Sequence, residues 1–461
     1  MNEQIIKNMK EIIGEDWVIT EPDKVGTYCE DETEPEMKPV VCKDCIVVKP
    51  SCTNEISEIM KYANSNGITV MVRGGATGMA GGAVATQPSV IISMERLNKI
   101  IEVDETNLTV ECEAGVTLLD LIEKFKNHKN LFFPIHPGDE GAQVGGMVST
   151  NAGGVRAVQY GVMRDQVRGL EAVLPTGEIL ELGGKLIKNN TGLDFKDLII
   201  GSEGSLAVVT KVTLKLQPKK QYSGSLIVSF DKDEDAVKAV PIMLMKGIKP
   251  LAIEYMEKAP TMASAEDLGL TWPSSSGNVY LYFIVGSDDQ DKMYETCEKI
   301  VEICEECGAA DSFIAESSKE QRDILEIRSH VYPSIKKKLV DTLDVAVPIS
   351  YLPEFMDKIR TLSDEFKIEI QTIGHIGDGN MHNFIMTEDG KKPSKYDELV
   401  DNIYKYAIKC GGTITAEHGV GKLRINKLPI QFSEKELSIA KEIKKIFDPN
   451  NILNPGTKIK L

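Results

Sequence analysis

Apolar positions fall into two different textures along this chain. Between about residues 45 and 215, short β-branched runs are separated by glycine-rich turns. Runs at 46–48, 69–72, 90–93, 108–113, 170–175 and 206–216 have the length and composition of strands. Segments 55–64 and 117–125 repeat apolar residues at helical spacing, and Thr117 supplies a hydroxyl suited to capping the second. From about residue 222 a strand–helix–strand unit recurs: strand 226–230, helix 231–245 closed by Gly247, strand 252–255. It returns as strand 279–285, helix 291–307 and strand 312–315, and more loosely as 345–348, 353–366 and 368–372. Such repeats predict an antiparallel sheet covered by helices in the ferredoxin-like manner. The expected class is α+β, divided into an N-terminal helical segment (1–40), a glycine-loop domain (41–219), a cap domain (220–410) and a C-terminal segment (411–461) that returns to the first domain.

Composition narrows the function classes. A chain of 461 residues exceeds one ordinary core, and 42% hydrophobic residues is a globular proportion. Acidic residues outnumber basic ones by 70 to 53, which argues against nucleic acid or an anionic membrane as partner. No run approaches the length of a membrane-spanning helix, and residues 1–14 lack the apolar core of a signal peptide, so a cytoplasmic protein is expected. The nine cysteines include Cys42 and Cys45 in a CxxC, and Cys297, Cys304 and Cys307 at helical spacing. The odd total and these placements predict reduced, packed thiols rather than an iron–sulfur site.

Four glycine-rich segments lie within about 135 residues. Arg73-Gly-Gly-Ala-Thr-Gly-Met-Ala-Gly-Gly-Ala83 follows a predicted strand, and its backbone N–H groups form a generic phosphate or pyrophosphate cradle. It is neither a Walker loop nor the Rossmann fingerprint. Pro137-Gly-Asp-Glu-Gly-Ala-Gln-Val-Gly-Gly-Met-Val-Ser-Thr-Asn-Ala-Gly-Gly154 reads as too glycine-dense for core packing. Tyr160-Gly-Val-Met-Arg-Asp165 and Ile200-Gly-Ser-Glu-Gly-Ser-Leu206 complete the set. One turn of this kind is ordinary; four together fit a single extended ligand.

These motifs resemble the FAD-binding domain of the vanillyl-alcohol-oxidase-type (PCMH-type) flavoproteins, and within them the glycolate and D-lactate dehydrogenase branch of 2-hydroxyacid dehydrogenases. The resemblance spans nearly the whole chain and implies such an FAD-binding domain joined to the ferredoxin-like cap. It implies that Arg73, Gly74, Gly75, Ala76, Thr77, Gly78, Gly81 and Gly82 hold the FAD pyrophosphate. It further implies that Pro137, Gly138, Gly145, Gly146, Ser149, Asn151, Gly153, Gly154, Tyr160, Gly161, Glu203 and Gly204 wrap the rest of the cofactor. The first loop has no histidine, so non-covalent FAD is expected.

Only six histidines occur, and three of them fall in two short motifs: Gly374-His-Ile-Gly-Asp-Gly-Asn-Met-His382 and Thr415-Ala-Glu-His-Gly-Val-Gly-Lys422. Imidazoles with one carboxylate and open positions are the donor set of catalytic zinc or non-haem iron. On a regular strand Glu417 and His418 would face opposite ways. The resemblance assigns His375, His382 and Glu417 as ligands of a divalent metal, zinc or iron, and His418 as proton acceptor. An imidazole titrates near neutrality, which suits that role. Arg328, in Ile327-Arg-Ser-His-Val-Tyr-Pro333, matches the position where the family holds a substrate carboxylate.

Two departures bear on the substrate. Relatives acting on hydroxy diacids carry a lysine where this chain has Thr342, and an asparagine where it has Phe384, with Asn383 one place earlier. Both changes remove polar partners for a distal carboxylate, so a short monocarboxylate, lactate or glycolate, is expected over 2-hydroxyglutarate. The implied route is oxidation of the 2-hydroxy acid by FAD, with electrons leaving to an electron-transfer flavoprotein, as in a bifurcating lactate dehydrogenase complex. The alternatives are a glycolate oxidase catalytic subunit feeding an iron–sulfur subunit, a metal-dependent hydrolase that binds a nucleotide, and a non-catalytic flavin scaffold.

Overall fold

A computed structural model describes residues 2–461. The chain divides into two compact units. The first comprises 1–153, 162–219 and 417–461; the second comprises 154–161 and 220–416. The N-terminal segment is therefore part of the first unit rather than a separate element. The C-terminal return begins at Glu417, a few residues later than expected, and 154–161 is grouped with the cap.

The first unit is built on two larger sheets, with a short antiparallel pair of Leu131–Phe132 and Gln217–Pro218 beside them. In one, parallel strands Ile46–Val48, Val90–Ser93 and Val70–Arg73 lie side by side, with Val18–Ile19 antiparallel at the edge. Ile46, Val47, Val48, Val90, Ile91 and Ile92 are all buried, as strands covered on both faces require. The other sheet is antiparallel, in the order Ile100–Asp104, Thr109–Glu113, Val208–Lys215, Val167–Val173, Ile179–Gly183. Helix Leu118–Lys126 begins as predicted: Thr117 Oγ1 accepts from the Asp120 N–H while the Asp120 carboxylate accepts from the Thr117 N–H. Strands Ile100–Asp104 and Ile179–Gly183 are additional to those expected: neither contains a fully buried residue, and apolar Ile101 and Ile179 are exposed beside Glu102 and Glu181, so no core-facing alternation marks them.

The segment expected to be a glycine-dense loop contains a helix, Val144–Thr150. Val144, Gly145, Met147 and Val148 are buried in it, and a Cβ on Gly145 would come within 2.7 Å of the Ala114 Cβ. The glycine there serves close packing, contrary to the reading from composition. Lys444 and Asp448 form a buried ion pair at the end of helix Glu434–Phe447. Lys444 Nζ also donates to the Ser205 and Leu453 carbonyls, so the C-terminal return is fastened inside this unit.

The second unit is a seven-stranded antiparallel sheet with helices on both faces. Its order is Ala309–Ala315, Tyr222–Phe230, Val279–Ser287, Ala252–Glu257, Glu369–His375, Asn380–Met386, Leu339–Ala346. Helices Lys258–Leu268, Ser318–Ser329 and Val331–Ile335 cover one face, over a cluster containing Ile227, Met256, Tyr280, Tyr282, Ile373 and Phe384. Helices Asp233–Met245, Gln290–Glu306, Leu352–Phe366 and Tyr396–Lys409 pack together and against the sheet from the other side. Strand Asn380–Met386 is buried at every position, so it lacks the polar alternation that would have marked it. All nine cysteines are free, as expected, with Cys297 and Cys304 buried. Among the described residues no helix is long and apolar enough to cross a membrane.

Burial pushes the Glu257 carboxyl, at the end of Ala252–Glu257, up to about 7; the Thr372 N–H that it accepts at 3.0 Å offsets only part of this. The folded chain thus holds a proton that the unfolded chain releases near 4.5, and stability falls as pH rises through that window. Glu257→Gln keeps the acceptor and removes the proton. The variant is expected to match the wild type near pH 5 and to be more stable at pH 8, by up to about 3 kcal/mol. Thermal or urea unfolding at the two pH values measures this, and equal differences at both would refute it.

Candidate functional site

Four adjacent strands of the second unit place a row of polar residues on one face of the sheet. Ile373 is paired with His382 and Gly374 with Met381, so His375 and His382 lie diagonally across a hairpin on the same face. Their rings meet edge to face with centroids 5.2 Å apart. Asp344 stands directly opposite His382 on the outer strand. Tyr255 is paired with Gly374 on the inner one, which brings Glu254 beside His375. The turn between the histidines, 376–379, requires glycine at its last position, where φ is 85° and a Cβ would lie 2.1 Å from the Val347 carbonyl.

Each imidazole has a buried carboxylate beside it, at hydrogen-bond distance for His375 and at ion-pair separation for His382. Glu254 Oε1 lies 2.6 Å from His375 Nδ1, and Asp344 Oδ1 lies 3.6 Å from His382 Nδ1. Asp344 is itself fixed by the Asn380 side-chain amide at 2.8 Å, the Thr415 hydroxyl at 3.1 Å and the Ala416 N–H at 3.0 Å. Because an ionised carboxylate only accepts, His375 carries its proton on Nδ1 and turns the Nε2 lone pair outward. Arg328 closes on the other oxygen of Glu254, with Nε at 2.7 Å and Nη2 at 2.6 Å. Burial alone raises the Glu254 carboxyl, but His375 and Arg328 outweigh it and hold the group below the ordinary glutamate value. Arg328 was expected to be a substrate anchor; in the structure one edge of its guanidinium belongs to Glu254, leaving the Nη1 edge for a further carboxylate. Tyr282, paired with Glu254 across the strands, hydrogen-bonds Ser225 Oγ at 3.2 Å.

The first unit contains a cavity that opens to solvent. It is lined by Gly74, Gly75, Ala76, Thr77, Gly78, Gly82, Pro137, Gly145, Gly146, Ser149, Gly153, Glu203, Gly204, Glu417 and His418, all expected site residues. Asp31, Gln143 and Asn454 join them and were not anticipated. Ala76 adopts a left-handed conformation at φ 57°, and the backbone N–H groups of 74–78 make no hydrogen bond within the described residues. Such a concave run of donors suits a pyrophosphate. Gly75 has no room for a side chain, since a Cβ would sit 2.3 Å from the Gly141 carbonyl. The buried Gln143 Oε1, also on the lining, has no partner in the chain. The residues present therefore fit FAD.

Several expected cofactor residues do other work. Arg73 stacks over the Tyr28 ring at 5.1 Å and donates to the Thr27 carbonyl, so its side chain turns toward the N-terminal segment. Gly81 donates its N–H to Thr33 Oγ1, and Asn151 caps a helix while accepting from the Arg164 N–H. Gly138 forms a turn with φ 100°. Gly154, Tyr160 and Gly161 belong to the second unit, where Gly161 ends the short helix Ala157–Tyr160.

The segment carrying Glu417 and His418 is an irregular loop, not a strand, so both residues reach the same cavity. Glu203 organises it by accepting from the Val420 and Gly421 N–H groups at 2.8 and 2.6 Å. Gly153 leaves space for the Glu417 carboxylate, which would lie 2.7 Å from a Cβ placed there. Lys422 donates to the Gly82 carbonyl and the Thr457 hydroxyl, tying this loop to the 73–83 segment, and burial depresses its amine to about 8. Glu254 and Asp344 were missed by sequence reasoning. Their signal was an acidic residue flanked by apolar ones within a strand, which is costly to bury unless partnered.

Residues 45–183 match the family described as FAD binding domain, and residues 219–457 match that described as FAD linked oxidases, C-terminal domain. The chain is 39% identical over 433 residues to a D-lactate dehydrogenase of Archaeoglobus fulgidus, covering 94% of this chain and 95% of that one. It is 34% identical to the glycolate oxidase subunit GlcD of Bacillus subtilis, covering 89% and 88%. In fold it is similar to p-cresol methylhydroxylase, with a TM-score of 0.79 at 16% identity over 99% of this chain and 96% of that one. It is likewise similar to 4-ethylphenol oxidase from Gulosibacter chungangensis, with a TM-score of 0.76 at 17% identity over 99% and 96%. The expected PCMH-type fold is thus met.

The cradle makes a direct prediction. Gly75→Ala should purify with little flavin, read from the visible absorbance relative to protein. Gly26→Ala, outside the cavity lining, meets open space and should retain it. Equal flavin content in the two variants would show that the 74–78 backbone does not hold the cofactor.

Proposed function

Because this chain belongs to the family of FAD-linked 2-hydroxyacid dehydrogenases, we propose that it oxidises a short 2-hydroxy acid, D-lactate or glycolate, with the help of a divalent metal. The observation that carries the metal assignment is the pair of imidazoles on one sheet face, with His375 hydrogen-bonded to the buried Glu254 and His382 3.6 Å from the buried Asp344. A histidine oriented by a carboxylate is the usual arrangement of a metal ligand. His375 and His382, with Glu417, would hold the ion, zinc or iron in type.

Bound FAD supplies the two-electron acceptor, and the metal supplies a Lewis acid that acidifies the 2-hydroxyl. His418 takes the hydroxyl proton on its imidazole. Arg328 offers its Nη1 edge to the substrate carboxylate while Glu254 grips the opposite edge. Phe384 shares its face with His382 and is buried in the apolar cluster, paired with Thr342. A benzene ring there favours a short substrate over one with a distal carboxylate, and Asn383 is engaged elsewhere, with the Leu343 and Met381 carbonyls.

An electron-transfer flavoprotein is the proposed acceptor. The likeness to GlcD of Bacillus subtilis favours a second reading, in which the chain is the catalytic subunit of a glycolate oxidase.

Anaerobic D-lactate or glycolate should bleach the flavin of the wild type. His418→Ala should keep FAD and metal yet reduce the bleaching rate by about 10²–10⁴-fold. His382→Ala should lose the metal and fail similarly. Stopped-flow absorbance with metal analysis checks both, and wild-type rates in either variant would remove that residue from the reaction. Faster turnover on adding an electron-transfer flavoprotein is the expected sign of the acceptor; indifference would favour the iron–sulfur partner.

A further inference from the structure

Glu254 is wholly buried and spends both oxygens on functional groups, Oε1 on His375 Nδ1 and Oε2 on the Arg328 fork. We infer that Glu254 is a positioning residue that couples the metal ligand His375 to the substrate anchor Arg328. This rests on the metal-assisted oxidation proposed above. Strand register fixes the arrangement, because Tyr255 opposite Gly374 leaves Glu254 nowhere to point except beside His375. The carboxylate has no proton to give, so His375 must donate from Nδ1, and only Nε2 remains for a metal. The same group neutralises Arg328, whose charge would otherwise be buried at 12% exposure without a counter-ion.

No neutral side chain of the same shape does both. A glutamine has one acceptor oxygen, so it can serve Arg328 or His375 but not each at once. If its amide donates to Nδ1, the histidine proton moves to Nε2 and blocks the metal position. A buried ion pair of purely structural role would alter stability alone. A coupling residue alters metal affinity and substrate KM together.

The test uses the full chain, FAD-loaded and stripped of metal, titrated with Zn²⁺ alone against a chromophoric chelator. Glu254→Gln should bind Zn²⁺ about 10–100-fold more weakly than wild type and should raise the KM for D-lactate. Arg328→Gln should raise that KM while leaving Zn²⁺ affinity close to wild type, since His375 keeps its carboxylate. Should Glu254→Gln fail to fold, the double variant Glu254→Gln with Arg328→Gln removes the unpaired guanidinium and is expected to show the same weakened Zn²⁺ binding. Wild-type Zn²⁺ affinity in the folded Glu254 variant, with His375→Ala losing the ion, overturns the inference and leaves the proposed function standing. Weakened Zn²⁺ binding with an unchanged KM overturns the coupling. A wild-type chain that binds no Zn²⁺ overturns the metal reading and this inference with it.

Discussion

The candidate chemistry of the second unit depends on the register of its antiparallel sheet. Side chains alternate faces every residue, so a one-residue slip between any two of the four site strands would send a member of the row to the opposite side. With the observed pairing, Glu254, His375, His382 and Asp344 stand on one face of neighbouring strands. The apolar cluster on the same face, with Met256, Ile373 and Phe384, locks that register. Burial drives the pairing, and the pairing positions the polar groups. The carboxylates are tolerated there because each has partners: Glu254 an arginine and an imidazole, Asp344 an amide, a hydroxyl and a backbone N–H.

In the first unit the constraint is different. A pyrophosphate cradle needs backbone donors with no side chain in the way, and the 74–78 segment meets that need by close approach to Gly141. Loops rich in glycine are expensive to order, so they are pinned by side chains from distant parts of the chain. Glu203 holds the loop after Glu417, Lys422 bonds to Gly82, and Asn454 joins Val72 to Gly204. The C-terminal return is thereby part of the cofactor domain, fastened by the buried Lys444–Asp448 pair.

Much of this was legible. Strand 46–48, the Thr117-capped helix and the repeated strand–helix–strand units follow from period and capping chemistry, which are local. The glycine segments announced a ligand loop because their composition has few other uses. Helix Val144–Thr150 was misread for the same reason: composition reports backbone freedom, not whether a glycine is used for a turn or for contact with Ala114. Strand Asn380–Met386 and the outer strands escaped because a fully buried or half-polar strand has no clean period of two.

By itself the sequence determined the α+β class, the change of texture near residue 220, the glycine loops and the two histidine motifs, since each is written in neighbouring residues. Tertiary structure alone decided that Glu254 backs His375, that Asp344 stands by His382, that Arg328 shares its fork with a buried acid, and that Arg73 faces Tyr28. Those outcomes depend on pairings between residues up to 121 positions apart. Strand register, not local pattern, chooses such partners, and register is settled only when the whole sheet buries its apolar face.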